Sequence, residues 1–145
     1  MASRPPSPSA STQPSKRPNR PLSPHLQIWR WPVTMATSIL HRMTGMALGA
    51  GLLLLAAWLV ATAMGAQAYG FMETWLGHPV GRTILFGFTL ALVFHLLNGI
   101  RHLVWDAGKG FEVRRAHRAG IFVMVAAVLL TLAVWAFAYW LKGAF

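Results

Sequence analysis

The chain contains no cysteine. That absence removes disulfides, thiolate metal sites, iron–sulfur ligation and covalent haem attachment through a CxxCH pair in one step. Acids are nearly as scarce: Glu73, Asp106 and Glu112 are the three carboxylates in 145 residues. No carboxylate pair stands ready for acid–base chemistry, and no glycine-rich nucleotide fingerprint is present. Charge of either sign is thin, at 11% of residues against 55% hydrophobic. A soluble domain carries about a quarter charged residues. The chain is too short for several domains and too apolar for a surface that faces water throughout.

What charge there is has one sign. Thirteen Lys and Arg give a formal net charge of +10. Such a balance can signal nucleic acid, but here the bases flank apolar stretches instead of forming a basic face, which points to membrane topology and away from nucleic acid. Residues 1–22 are rich in Pro, Ser, Arg and Lys and hold no acid, so they read as a disordered, solvated tail. They are no secretory signal, because no apolar segment follows the bases before Ile28. Residues 23–145 form the membrane part. Trp29 and Trp31 suit a headgroup layer. Apolar spans then predict three transmembrane helices, over about residues 32–64, 83–105 and 119–142. A loop with a possible short amphipathic turn over 71–76 joins the first two, and a basic loop over 109–120 joins the last two. The fold class is therefore an all-α membrane protein.

The first helix carries Gly45 and Gly49 in a GxxxG pair that permits close helix packing. Near its start, Trp31, Met35, Ser38 and Arg42 follow i, i+4, i+7 and i+11 spacing and share one face. The stripe offers an aromatic wall, a soft apolar contact, a hydroxyl and a fixed cation, with His41 beside it. It suits either plain interfacial anchoring or a binding site. The second helix carries FHLLNGIRHLVWDAGKG, where His95, Asn98 and His102 project from one side. By helical rise His95 lies about 10 Å deeper than Arg101 and His102. An imidazole at that depth is costly unless it is hydrogen-bonded, paired or bound to a metal. Two readings remain open: a histidine bonded to a neighbouring helix, or an axial ligand to a haem iron. His78, beside a proline in a loop, has no expected function, and the third helix needs only a packing role. The distribution of bases puts the N-terminal tail and residues 109–118 on the cytoplasmic side, with Ser38, His41, Arg42, Arg101, His102 and Asp106 towards it.

RPLSPHLQIW followed by SILHRMTG and then HLLNGIRHLVWDAGKG, over about residues 20–118, resembles the cytochrome b556 subunits of succinate dehydrogenase, the membrane anchor of respiratory complex II. The resemblance implies a helical bundle completed by a second small hydrophobic anchor subunit. It implies docking of a flavoprotein and an iron–sulfur subunit, a shared haem b, and electron transfer from succinate to ubiquinone in the tricarboxylic acid cycle and respiratory chain. On that basis the chain is a component of an enzyme and does not catalyse alone.

The resemblance makes His95 the axial haem ligand. It places His41, Arg42, Arg101 and His102 near the haem propionates, and assigns Ser38 and Arg42, with Trp31, Met35 and Ile39, to the ubiquinone site. Trp29 stands where the family often has tyrosine. The implied setting is a bacterial inner membrane with a cytoplasmic N-terminus, the mitochondrial inner membrane being the alternative. Two other architectures compete: a di-haem quinone-reductase anchor, and a purely structural anchor for a soluble dehydrogenase.

Overall fold

The computed structural model describes residues 29–143, and the tail over 1–22 lies outside the described residues. Four helices follow one another: α1 (Val33–Ala63), α2 (Ala66–Gly77), α3 (Pro79–Asp106) and α4 (Val113–Leu141). No strand occurs among the described residues. Of the four, α1, α3 and α4 are long and apolar enough to cross a membrane. At 31, 28 and 29 residues, each exceeds the ~20 residues that a hydrocarbon core requires.

Local chemistry sets the ends. Pro32 holds an extended backbone, and its carbonyl accepts from the amides of Met35 and Ala36 at 3.0 and 3.2 Å, starting α1. Gly65, at φ +101°, ends it in a conformation that L side chains rarely adopt. The segment expected as a loop with one possible turn is instead a full helix, α2, of 12 residues. Its Ala, Gln, Met, Glu and Leu residues favour helix, and the glycine at 70 costs only about 1 kcal/mol in a helix interior. α3 likewise starts at Pro79 and not near 83, because proline fits a helix's first turn, where its missing N–H removes nothing. His78, given no role by the sequence, caps this helix: its Nδ1 accepts from the Val80 amide at 3.3 Å. The α2–α3 corner depends on Gly81, where a Cβ would collide with the Trp75 carbonyl and come within 2.8 Å of Leu76 Cα.

α4 begins at Val113, six residues before the expected start at 119. The expected boundary followed the apolar span, whereas the helix continues back through the largely exposed basic segment. The Glu112 backbone carbonyl accepts from the Ala116 amide at 2.8 Å, and its exposed carboxylate pairs with Arg115 at 3.0 Å.

α3 packs against the other three helices, most extensively against α4 and then α1. The apolar core is small, with Phe94, Val123 and Ala127 surrounded by Leu90, Val93, Leu97 and Met124. Large apolar side chains such as Leu52, Leu53, Phe122, Leu129 and Phe137 stay exposed, as a surface bathed in hydrocarbon requires. Polar groups lie inside. Thr131 donates to the Ala127 carbonyl at 2.7 Å, and Trp135 Nε1 donates to Thr89 Oγ1 at 3.2 Å, tying α4 to α3. Of the GxxxG pair only Gly45 is closely packed, against His95, and Gly49 faces open space. The second close approach is Gly51 against Phe88.

Candidate functional site: a histidine row between two spans

α1 meets α3 along Thr37, His41 and Thr44, residues spaced i, i+4 and i+7 on one helical face that Val33 continues towards Gly120 of α4. His41 projects between two residues of α3. Its ring stacks on His95 with centroids 3.9 Å apart and planes 15° apart, and lies 5.2 Å from the ring of His102. His95 Nδ1 lies 3.2 Å from Thr44 Oγ1, and its other ring nitrogen has no hydrogen-bond partner among the described residues. His41 Nδ1 is buried without a partner. The rings lie face to face instead of converging, and no group of three or more His, Cys, Asp or Glu among the described residues could hold a metal ion by itself.

Behind the row lies a buried cation. Arg101 is 7% exposed, and Asn98 and Thr37 beside it are fully buried. One guanidinium nitrogen donates to Thr37 Oγ1 at 3.0 Å and to Asn98 Oδ1 at 3.2 Å, and the other to the Ala116 carbonyl at 3.1 Å. The Arg101 carbon lies 4.1 Å from the centroid of the Trp105 ring, whose Nε1 donates to the Gly110 carbonyl at 3.3 Å. Trp105 in turn meets His102 edge-on at 5.0 Å. Arg101 thus joins all three spans through neutral acceptors, and Gly120 of α4 makes room for the junction. A Cβ there would lie 2.8 Å from Val33 Cγ1 and 3.9 Å from the guanidinium.

The stripe expected from the sequence sits one residue, or about 100°, around α1 from this inner face. Met35 and Ser38 are half-buried, while Trp31, Ile39 and Arg42 are exposed. The structure therefore brings His41, His95 and His102 together, sets Arg101 behind them, and leaves Trp31, Met35, Ser38, Ile39 and Arg42 on the outer surface. Sequence reasoning missed Thr37 and Thr44 and gave Trp105 no role. The i, i+4, i+7 spacing of Thr37, His41 and Thr44 was the available signal. It was obscured by the more polar-looking stripe next to it. An apolar groove of about 720 Å³ between α1 and α3, lined by Leu48, Leu55, Phe88 and Leu92 among others, touches none of these residues.

Three apolar spans, two of them holding a row of imidazoles and all three joined at a buried guanidinium, define a membrane-integral protein with polar chemistry within its bundle. Residues 16–134 match the succinate dehydrogenase/fumarate reductase transmembrane subunit family. The chain belongs to that family. It is 44% identical over 114 residues to the succinate dehydrogenase cytochrome b556 subunit of Paracoccus denitrificans, covering 79% of this chain and 88% of that one. Against the mitochondrial succinate dehydrogenase cytochrome b560 subunit of Bos taurus identity is 43% over 113 residues, 77% of this chain and 67% of the relative. The cytochrome b556 subunit of Rickettsia felis is 38% identical over 116 residues, covering 80% and 90%. The expected family, fold class and transmembrane character are thus borne out.

Proposed function

We propose that this chain is the haem-carrying anchor of a succinate:ubiquinone oxidoreductase, with His95 as one axial ligand of a b-type haem shared with a second hydrophobic anchor subunit. The observation that carries this is His95 itself: an imidazole within a membrane span, with one ring nitrogen lacking any partner among the described residues. The residues present fit the group. A neutral imidazole nitrogen is a ligand of haem iron, and the orphaned His41 nitrogen beside it marks a place where a polar group from outside the chain belongs. The names of the relatives agree, since each is a cytochrome b subunit.

In this reading haem b supplies one-electron redox chemistry, and the chain's own residues hold and surround it. His95 ligates. His41, stacked on the ligand ring, and His102 beside His41 would meet the haem propionates, and Arg42 would extend the basic edge outward. Arg101 reaches that edge only from behind, through Trp105 and His102. The outer stripe of Ser38 and Arg42, with Trp31, Met35 and Ile39, faces ubiquinone. Ser38 donates a hydrogen bond to one carbonyl, Arg42 stabilises negative charge that develops on reduction, and partner subunits close the pocket. An iron–sulfur subunit and a flavoprotein subunit dock on the side of the N-terminus and of the α3–α4 loop, which is the cytoplasmic side of a bacterial inner membrane, or the matrix side if the setting is mitochondrial.

The test is a reduced-minus-oxidised spectrum of the intact complex with and without His95→Ala. A b-type band equivalent to one haem per complex, lost or made high-spin by the substitution, is the expected result. An unchanged low-spin signal in a fully assembled His95→Ala complex rejects the assignment. Two haems per complex would favour the di-haem architecture, and no band in the unsubstituted complex the purely structural one.

A further inference from the structure

Thr44 and His95 meet across the α1–α3 interface with 3.2 Å between Oγ1 and Nδ1. The direction of that bond follows from the threonine's other neighbours. Its oxygen also lies 2.8 Å from the Leu40 carbonyl and 3.0 Å from the His41 carbonyl. A hydroxyl has one proton and a carbonyl has none to give, so these contacts draw the Thr44 proton back along α1. The Leu40 contact is the shortest of the three and is the ordinary back-bond of a threonine within a helix. The lone pairs of Oγ1 are then left for His95, and Nδ1 must supply the proton.

We infer that Thr44 is a positioning residue for His95: its hydroxyl accepts a hydrogen bond from Nδ1–H, holds the ring in the tautomer protonated there, and leaves the Nε2 lone pair for iron. This rests on the reading of His95 as the axial ligand. Gly45 completes the arrangement, because a Cβ at that position would lie 3.2 Å from His95 Cε1. The residue beside the threonine thus lets the ring settle close enough for the bond. His41, stacked at 3.9 Å, covers one face of the same ring. Ring edge, ring carbon and ring face are each held by a different α1 residue. A partner that accepts the proton of the non-ligating nitrogen makes the ligand more basic and tunes the metal. Greater basicity favours the oxidised iron, so the Thr44 contact lowers the haem potential.

The experiment uses the intact complex with Thr44→Val, which keeps the branched shape without the hydroxyl, and Thr44→Ser, which keeps the hydroxyl. Optical redox titration and electron paramagnetic resonance of the oxidised low-spin haem are the readouts. The expected result is a raised midpoint potential and displaced g-values in Thr44→Val, with Thr44→Ser close to the unsubstituted complex. Haem lost from Thr44→Val but kept by Thr44→Ser supports the same conclusion. Unchanged potential and g-values in Thr44→Val overturn it, as does equal loss of haem from both variants. His95→Ala, measured alongside, separates the two levels. If that complex keeps low-spin haem, the ligand assignment fails and takes the role of Thr44 with it. If haem depends on His95 and Thr44→Val is silent, only the positioning role fails.

Discussion

The imidazoles of His41 and His95 stack 3.9 Å apart and 15° from parallel, one on α1 and one on α3. Neither helix could hold that ring orientation alone. The contact makes His41 part of the support of the proposed ligand, and distinguishes it from His102, which lies 5.2 Å from His41 further along the same row.

His41→Leu is expected to leave haem bound but more weakly, by about 10–100-fold in affinity, the usual effect of losing a group that supports a metal ligand. His102→Ala should do less, because its ring reaches the row only through His41. Haem titration of the apo-complex for the two variants gives the order. Equal losses would show that the row acts through charge alone.

Ser38→Ala removes a hydroxyl from the outer stripe and leaves α1 intact, since both residues suit a helix. A lost hydrogen bond to quinone costs about 1–3 kcal/mol, or roughly 5- to 150-fold in turnover. Arg42→Ala should cost at least as much. Succinate oxidation by an artificial acceptor that draws electrons before the membrane should survive both. The deciding quantity is the ratio of quinone reductase to artificial-acceptor activity. A parallel fall in both activities would mark the stripe as an assembly surface.

Arg101→Met should destabilise the bundle by about 2–4 kcal/mol, because buried acceptors on Thr37, Asn98 and Ala116 lose their donor together. Arg101→Lys keeps the charge but not the planar fork, so it should recover only part of the loss. Thermal unfolding of the detergent-solubilised complex ranks the three. Indistinguishable midpoints would mean that water or lipid replaces the guanidinium at no cost.

Gly45→Ala and Gly49→Ala form a matched pair. A Cβ at Gly45 crowds His95 Cε1 at 3.2 Å, whereas at Gly49 it meets nothing within 4 Å. The first should shift the haem spectrum with a cost of about 1–3 kcal/mol from overpacking, and the second should be silent. If Gly49→Ala were the damaging change, a partner helix must pack on the outer face of α1.

Much of this was legible in the chain. Spans show through hydropathy because a membrane leaves few alternatives to an uninterrupted apolar helix, and the family blocks around Ser38 and His95 are distinctive. Helix ends were less legible. Pro79 and the bases over 114–118 look like loop signals, yet proline starts helices and a helix does not stop at the membrane surface. The inner face of α1 was the harder failure. Thr37 and Thr44 are polar but inconspicuous, and which of two adjacent stripes turns inward is decided by what α3 and α4 present. Arg101 drew attention as a basic residue expected beside the haem propionates. Its burial depends on Ala116 and Gly120, whose contribution is a backbone carbonyl and an absent side chain, and neither leaves a mark in composition.

The junction at Arg101 also has an order of assembly written into it. Thr37 and Asn98 precede the arginine in the chain, and the Ala116 carbonyl follows it on the last span. As synthesis runs from the N-terminus, α1 and α3 can be latched together before α4 is inserted. The guanidinium then keeps one hand free until the last span arrives to take it. Insertion of α4 is therefore the step that closes the bundle, and a chain cut short in the α3–α4 loop would leave two joined spans whose guanidinium lacks its Ala116 acceptor.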